Sequence, residues 1–406
     1  MIARIAPAPL SGAVDAIPSK SCAHRALICA ALADRPTEVA MTATSGDIEA
    51  TADCLRALGA GVERSAGGLM VAPIGRAAEN AALNARDSGS TLRFLLPVAS
   101  ALGAGATFSG EGRLPDRPGG ALIKQLRAHG AIVGGERLPL TVSGRLRGGL
   151  YELPGDVSSQ FATGLLFALP LLPEDSEIRF TTPVESRSYL NLTVAALHGF
   201  SVEVLPTATG YRVPGRQIYR SPGRLVVEGD WSAAAFFLAA GALNNGSVAV
   251  AGLDERSAQG DRAIVAILAD MRARDERTID ASDCPDLVPI VAAAAALTPG
   301  TTRIERAARL RLKESDRLAA MAEGLTNLGG DVRETPDGLL ISGGRLRGGR
   351  VRSHGDHRIA MALAIAAAYA DGPVEIDGAE AVAKSYPGFF EDFNKLGGAA
   401  HVQSPG

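Results

Sequence analysis

Apolar and polar positions follow a pattern that recurs six times along the chain. Each copy has an amphipathic helix that ends near a glycine, followed by a short strand, a polar turn and another strand. The helix ends fall at residues 59, 130, 199, 272, 329 and 397, and the fourth carries arginine where the other five carry glycine. Self-similarity of this kind indicates internal repeats, here of roughly 68 residues each, which together account for essentially the whole chain.

A second helix in each repeat is apolar on nearly all sides. A helix without a polar face belongs in the interior of a protein. A β-type strand follows each of these helices, so every repeat is predicted to run strand–helix–strand–helix–strand–strand. The pattern therefore favours an α/β protein in which mixed sheets pack over buried helices. The buried helices are predicted at residues 24–32, 91–102, 161–171, 233–243, 287–297 and 358–369.

The composition excludes several classes of protein. Apolar residues make up 46% and charged residues 21% of the 406 residues, which is the balance of a folded globular protein. The length predicts two or three domains, or one large barrel. The 41 basic and 44 acidic residues argue against a nucleic acid or an anionic membrane as partner. The amino terminus lacks a signal-peptide core, and no apolar run approaches the ~20 residues of a membrane span. We therefore expect a cytoplasmic protein, and the cysteine spacing indicates no metal site.

Polar and charged residues precede the six buried helices. Serine and aspartate at these positions are typical N-caps. Capping does not require Lys20, Arg25, Arg93, Gln160 or the pair His357-Arg358. If the repeats are arranged symmetrically, the helix N-termini meet in one region, where unpaired N–H groups and the helix dipoles attract anions. The sequence therefore predicts a cleft for a polyanionic, phosphorylated small molecule.

Five motifs resemble the signatures of the 5-enolpyruvylshikimate-3-phosphate synthase family. In chain order they are Pro18-Ser-Lys-Ser-Cys-Ala-His-Arg25, Asp87-Ser-Gly-Ser-Thr-Leu-Arg93, Gly155-Asp-Val-Ser-Ser-Gln160, Lys313-Glu-Ser-Asp-Arg317 and Gly355-Asp-His-Arg358. The resemblance implies an α/β fold of two similar globular domains, each of three βαβαββ repeats with buried helices (an inside-out α/β barrel), with the active site in the interdomain cleft. It also implies a discontinuous first domain, at residues 1–18 and 229–406, and a second domain at residues 19–228.

The family's reaction transfers the enolpyruvyl group of phosphoenolpyruvate to the 5-hydroxyl of shikimate 3-phosphate and releases phosphate. It needs a base, an acid and cations for the substrate anions, and no cofactor. By resemblance Asp286 is the base, Glu314 is the acid, and Lys20 lies beside the transferred carbon and the departing phosphate. The residues expected to bind shikimate 3-phosphate are Ser21, Arg25, Ser158, Ser159, Ser186, Tyr189 and Lys313, besides Lys20 and Asp286. Those expected to bind phosphoenolpyruvate are Gly89, Arg117, Gln160, Arg317, Arg358 and Lys384, and Arg93 and His357 are expected in the same pocket.

Three positions qualify the resemblance. Glu314 lies between Lys313 and Arg317, and neighbouring cations favour its ionised form, which is unfavourable for an acid. We hypothesise that the substrate anions offset these cations. Arg309 stands where some family members carry an asparagine that contacts the substrate. Gly89 has no side chain at the donor pocket, which in this family leaves room for the inhibitor glyphosate.

Two alternatives remain open from the sequence. The UDP-N-acetylglucosamine enolpyruvyl transferases share the fold and the donor, but that family typically carries a reactive cysteine in the loop after the second repeat's strand. No cysteine lies between Cys54 and Cys284 here. A non-enzymatic six-repeat scaffold is the other alternative, since the repeats alone do not require catalysis. The resemblance further predicts a monomer.

Overall fold

The computed structural model describes residues 1–403. Within this range the helices are α1 (Lys20–Ala31), α2 (Gly46–Ala57), α3 (Gly89–Leu102), α4 (Gly120–Ala128), α5 (Ser159–Ala168), α6 (Arg187–Gly199), α7 (Trp231–Leu243), α8 (Ile264–Ala273), α9 (Val288–Leu297), α10 (Arg317–Asn327), α11 (His357–Ala368) and α12 (Phe389–Lys395). The strands of the first half are β1 (Ile2–Ala6), β2 (Gly12–Asp15), β3 (Thr37–Ala40), β4 (Gly61–Ser65), β5 (Gly68–Ala72), β6 (Ala81–Asn84), β7 (Ala106–Ser109), β8 (Ala131–Gly134), β9 (Leu140–Gly144), β10 (Leu150–Leu153) and β11 (Ser176–Phe180). Those of the second half are β12 (Leu205–Pro206), β13 (Gly210–Val213), β14 (Arg224–Val226), β15 (Val248–Ala251), β16 (Glu276–Asp280), β17 (Gly300–Glu305), β18 (Asp331–Thr335), β19 (Gly338–Gly343), β20 (Gly349–Arg352), β21 (Val374–Asp377) and β22 (Ala399–Gln403).

The six apolar helices all form, but most of them begin before their apolar pattern does. Side-chain oxygens of Ser88, Ser158, Asp230 and Asp356 accept hydrogen bonds from backbone N–H groups in the first turns of α3, α5, α7 and α11. These caps lie ahead of the apolar residues, so polar residues occupy the first helical turn. Several residues expected to bind substrate, among them Lys20, Gly89 and Gln160, are therefore part of the helices and not of the loops before them.

Five of the six sheets share one topology of four strands. In the sheet β6-β7-β9-β8, for example, β6 runs parallel to β7, while β9 runs antiparallel to both β7 and β8. The fourth repeat departs from the predicted pattern, because β15 pairs only with β2. Here α8 ends at Ala273 and the next strand begins at Glu276, which leaves no chain for a hairpin. The missing glycine at position 272 reflects this missing hairpin.

Contacts between Cα atoms divide the chain into two compact units. Unit 1 comprises Met1–Ser19 and the chain from Gly229 onward, and unit 2 comprises Lys20–Glu228. Strand β2 stays in unit 1 because it pairs in parallel with β15. Strand β14 stays in unit 2 because it pairs in parallel with β3. Each crossing of the chain therefore follows directly after a strand that completes a sheet of the unit being left.

The apolar helices form the centre of each unit. In unit 2, α3 packs against α5, and in unit 1, α9 packs against both α7 and α11. The surrounding strands bury alternate residues; in β6, Ala81 and Leu83 are buried while Ala82 and Asn84 are exposed. Within each unit the apolar helices thus lie inside and the sheets lie outside. The described strands form separate sheets and do not close into one barrel. None of the helices in residues 1–403 has the length and apolar character needed to cross a membrane.

Candidate active site

Arg25 joins the first turns of α1 and α6 in unit 2. Its side chain is 3% exposed and donates to the backbone oxygens of Ser21 (2.7 Å) and Tyr189 (2.9 Å) and to Thr193 Oγ1 (2.9 Å). The guanidinium also lies 5.3 Å from the centre of the Phe94 ring. Burial lowers the pKa of Arg25 to about 10, so the group remains a cation at neutral pH. Three residues predicted to bind shikimate 3-phosphate therefore lie together.

Ser186, another residue predicted to bind shikimate 3-phosphate, directly precedes α6. Its backbone has φ 56° and ψ 42°, a left-handed conformation that is uncommon for a residue with a side chain. The carbonyl oxygen of Ser186 accepts a hydrogen bond from the backbone N–H of Tyr189 (3.1 Å). This bond ties Ser186 to the turn that receives Arg25. Strained backbone of this kind concentrates at functional sites.

The N-termini of α3 and α5 are joined through Gln160. Its side chain donates to Ser90 Oγ (3.0 Å) and accepts from Arg93 Nη1 (2.7 Å). Arg93 also donates to the backbone oxygen of Pro118 (2.8 Å), which holds the loop that carries Arg117. Arg93 and Gln160, from two of the motifs, thus meet the loop of Arg117 at the ends of two buried helices.

Gly89, the first residue of α3, lies against both of these arginines. A Cβ atom at this position would come within 2.7 Å of Arg93 Nη1 and 2.9 Å of both terminal nitrogens of Arg117. The missing side chain is therefore what allows the two guanidinium groups to approach the helix N-terminus.

Lys20 begins α1 and pairs with a carboxylate that the sequence interpretation did not include. Its Nζ atom lies 2.9 Å from Asp47 Oδ2, and the two side chains are 16% and 7% exposed. Asp47 lies in the first turn of α2, where an acidic residue is typical of any helix. Because its position in α2 is sufficient to explain an acidic residue, nothing in the sequence indicated that Asp47 pairs with Lys20.

The two serines of the third motif have unequal positions. Ser158 caps α5, with its Oγ atom accepting from the backbone N–H of Gln160 (3.3 Å), and Ser159 is the first residue of the helix. The capping interpretation thus accounts for Ser158. Binding of shikimate 3-phosphate by this pair stays a prediction.

Arg317 is the centre of a charged cluster in unit 1. Its side chain is 2% exposed and donates to Asp286 Oδ1 (2.8 Å), Glu314 Oε2 (2.9 Å) and Asp356 Oδ2 (2.7 Å). Burial by itself would lower the pKa of Arg317, but the three carboxylates raise it above its ordinary value. The predicted base and the predicted acid are thus held by one guanidinium. The contact of Arg317 with phosphoenolpyruvate stays a prediction.

Arg358, in the first turn of α11, holds Asp286 from a second direction. It donates from Nη2 to Asp286 Oδ2 (3.1 Å) and from Nη1 to the Asp286 backbone oxygen (3.2 Å). Asp356 both caps α11 and accepts from Arg317, so one carboxylate connects the helix start to the cluster. His357 is 1% exposed beside it, with Nδ1 3.7 Å from Asp356 Oδ1.

Three further basic residues of unit 1 lie on neighbouring segments. Lys313 directly precedes Glu314 and is half-buried. Lys384 ends a short 3-10 helix, Ala379–Lys384, that packs against α11. Arg309 donates from Nη2 to the backbone oxygen of Ser282 and so ties its own segment to the one that leads to Asp286. The structure therefore gives Arg309 a place in supporting the Asp286 segment.

The two units carry different kinds of charge. The unit 2 group contains four cations (Lys20, Arg25, Arg93 and Arg117) and one carboxylate (Asp47). The unit 1 cluster contains two cations (Arg317 and Arg358) and three carboxylates (Asp286, Glu314 and Asp356). Arg309, Lys313 and Lys384 add further cations to unit 1, so the two units differ mainly in the number of carboxylates. Among residues 1–403 no group of three or more histidine, cysteine or acidic side chains is placed to hold a metal ion.

An α/β fold built from repeats, with cations at helix starts and carboxylates paired with buried arginines, is typical of an enzyme that acts on small anions. The model of the EPSP synthase family (3-phosphoshikimate 1-carboxyvinyltransferase) matches residues 5–393, and the chain belongs to this family. Proteins named 3-phosphoshikimate 1-carboxyvinyltransferase from Clostridium kluyveri and Clostridium acetobutylicum are 45% and 42% identical to it over 425 aligned residues, with 99% of each chain covered. The solved EPSP synthase of Acinetobacter baumannii has a TM-score of 0.82 at 27% identity and covers 99% of this chain and 100% of its own. These likenesses confirm the family, the transferase class and the two-domain α/β fold predicted from the sequence.

Proposed function

We propose that this protein transfers the enolpyruvyl group of phosphoenolpyruvate to the 5-hydroxyl of shikimate 3-phosphate and releases phosphate. The observation that carries the proposal is the unit 1 cluster, in which Asp286 and Glu314 are both held by Arg317. Family membership supports the same reaction, because the relatives are named for it. The names also favour it over the nucleotide-sugar transferase and over a non-enzymatic scaffold.

The cations of unit 2 supply the charge that the substrates require. Each substrate carries a phosphate and a carboxylate, and a phosphate bears about −1.5 to −2 charges at neutral pH, so the pair brings roughly −5 to −6. Lys20, Arg25, Arg93 and Arg117 lie at or beside helix N-termini, where the dipoles add to their attraction. We assign Arg25, with Ser21, Ser186 and Tyr189, to shikimate 3-phosphate. We assign Arg93, Arg117 and Gln160 to phosphoenolpyruvate.

The carboxylates of unit 1 carry the proton transfers. Asp286 accepts the proton of the 5-hydroxyl as its oxygen bonds to the central carbon of phosphoenolpyruvate, and Glu314 protonates the methylene carbon. In the second step the methyl carbon returns a proton to Glu314, the double bond re-forms and the bond to phosphate breaks. Lys20 stabilises the departing phosphate, which takes up the proton held by Asp286. The base and the acid are each regenerated, so no covalent enzyme intermediate is needed. The interdomain cleft, the monomeric state and the cytoplasmic location stay predictions.

Phosphate release provides the test. The purified protein is expected to release phosphate when mixed with phosphoenolpyruvate and shikimate 3-phosphate, and not when UDP-N-acetylglucosamine replaces the acceptor. Lys20→Met should lower kcat by ~10²-fold, because a half-buried cation proposed to lie at the departing phosphate is lost. Lys124→Met is the matched control, since Lys124 is exposed on α4 of the same unit. Phosphate release with UDP-N-acetylglucosamine but not with shikimate 3-phosphate would favour the alternative transferase. No phosphate release with either acceptor would refute the proposal.

Gly89→Ala is expected to weaken inhibition by glyphosate far more than it raises KM for phosphoenolpyruvate. The added methyl group would lie within 2.9 Å of both arginines that approach Gly89, and an overpacked contact of this kind costs about 1–3 kcal/mol. Inhibition constants and KM measured on the same preparations decide the matter. Gly120→Ala is the control, because a Cβ atom at Gly120 meets nothing within 4 Å. Equal losses for inhibitor and donor would contradict the steric explanation.

A further inference from the structure

A buried carboxyl group outside the predicted site belongs to the same charged neighbourhood as Asp286. Asp261 lies in the 3-10 helix Gly260–Ala263 and is 3% exposed. Ser232, in the first turn of α7, donates to its Oδ2 atom, whereas Oδ1 has no hydrogen-bond partner among residues 1–403. Helix α7 packs against this 3-10 helix and also against the one that carries Asp286, Pro285–Leu287. One helix thus contacts both segments that carry these carboxyl groups.

The charges around Asp261 agree with this placement. The pKa of Asp261 is raised to about 7, mainly by burial, and the charges of Asp286 and Asp230 contribute in the same direction. Arg358 and the hydrogen bond from Ser232 act in the opposite direction. Burial raises the pKa of Cys284 to about 12, and the charge of Asp261 adds to this effect. Asp261 therefore influences the Asp283–Asp286 segment at two separate positions.

The surroundings of Asp286 show what such a neighbour can do. Asp286 accepts from both Arg317 and Arg358, and two guanidinium groups stabilise its anion at the expense of its basicity. A second negative charge nearby has the reverse effect, because it favours the protonated form of a carboxylate. Glu314 and Asp356 already share Arg317 with Asp286, and Asp261 adds a further negative charge from outside that ion-pair cluster.

We propose that Asp261 is a positioning residue that acts through Asp286, an inference that rests on the proposed function. The negative charge of Asp261 increases the affinity of Asp286 for the proton of the acceptor hydroxyl. The effect requires ionised Asp261 and is lost when Asp261 takes up a proton. The acidic limb of the pH dependence of kcat therefore belongs to the coupled pair Asp261 and Asp286.

Two substitutions should move this limb in opposite directions. Asp261→Asn keeps an acceptor for Ser232 but removes the charge, so kcat at pH 8 should fall ~10-fold, KM should stay within about threefold, and the limb should move to lower pH. Ser232→Ala removes a hydrogen bond that favours ionised Asp261, so its limb should move to higher pH. A purely structural role predicts lower stability with an unchanged pH profile. The proposal is overturned if the acidic limb of the kcat pH profile lies at the parental pH in both variants.

Thermal unfolding tests the coupling without any activity. The pKa of Asp261 is about 7 in the folded protein and 3.8 in the unfolded reference, so the folded state prefers the protonated form. The parent should lose stability relative to Asp261→Asn as pH rises from about 4 to about 7, and the difference should then level off. With Asp286→Asn as the background, the levelling point should shift to lower pH by about one unit, because the like charge is gone.

Asp331→Asn is the control, since it removes a negative charge from an exposed position of unit 1. It should show no such pH-dependent difference. The proposal is overturned if the stability difference between Asp261→Asn and the parent does not change with pH. It is also overturned if Asp286→Asn leaves unchanged the pH at which this difference levels off. A parent protein without enolpyruvyl transfer counts against the proposed function, while the unfolding data still decide whether Asp261 and Asp286 are coupled.

Discussion

Replacing Arg317 with alanine should destabilise the protein by about 3–5 kcal/mol and lower kcat/KM by at least ~10²-fold. The guanidinium is 2% exposed and pairs with Asp286, Glu314 and Asp356. Without it, Asp286 keeps its pair with Arg358, while Glu314 and Asp356 lose their pairs with Arg317, and uncompensated buried charge is costly. Denaturant unfolding and initial rates of phosphate release measure the two effects on one preparation.

Two further variants separate the causes of the Arg317 effect. Arg317→Lys keeps the charge but replaces a planar fork by a single ammonium group, so it should recover part of the stability and little of the rate. Arg333→Ala removes an arginine whose side chain is 75% exposed and whose partner, Asp331, is also largely exposed, so both measurements should match the parent. An Arg317→Ala variant with parental stability would show that the cluster does not contribute as described.

Replacing Glu314 with glutamine should lower kcat by ~10²–10⁴-fold, which is the usual contribution of a general acid, while KM changes little. Glutamine is isosteric and can still accept from Arg317 Nη2, which lies 2.9 Å from Glu314 Oε2, so the fold should persist. The acid must be protonated in the complex, and the basic limb of the kcat profile should therefore disappear. Rates measured across pH at saturating substrates provide the check.

The Glu314 prediction also tests how a carboxylate beside a guanidinium can act as an acid. We expect the substrate anions to offset Arg317 and Lys313 and so raise the proton affinity of Glu314 on binding. Glu334→Gln is the matched control, because Glu334 pairs with Arg311 at the surface with 40% of its side chain exposed. A pH profile of Glu314→Gln that matches the parent would remove Glu314 from the acid role.

The helices of this fold were predictable because their signal is local. Each buried helix carries its apolar residues at consecutive positions, and each amphipathic helix has a regular period. The first turns were not predictable from apolarity, since residues such as Lys20 and Gly89 are helical although the apolar pattern starts later. The fourth repeat lacks its hairpin because the connection between α8 and β16 is too short to form one. The repeat pattern alone does not reveal the length of that connection.

The members of the site were easier to predict than their partners. The family resemblance pointed to Asp286, Glu314, Arg317 and Arg358, and the structure brings these four together. The pairing of Arg317 with Asp356 joins residues 39 positions apart and depends on how α10 and α11 pack. Asp47, Asp261 and Asp356 each have an ordinary local explanation near a helix start. Only their long-range contacts connect them with the charged groups.

Unit 1 is closed by strands from opposite ends of the described chain, and this sets an order of folding during synthesis. Strand β1 pairs with β22, with Ile2 opposite Gln403, while unit 2 lies entirely within Lys20–Glu228. On the ribosome, unit 2 has its whole sequence long before unit 1 does, and β1 must wait for β21 and β22 to emerge before its sheet can form. A truncation near either end would therefore leave the same sheet of unit 1 incomplete. Unit 2 would retain its full set of strands.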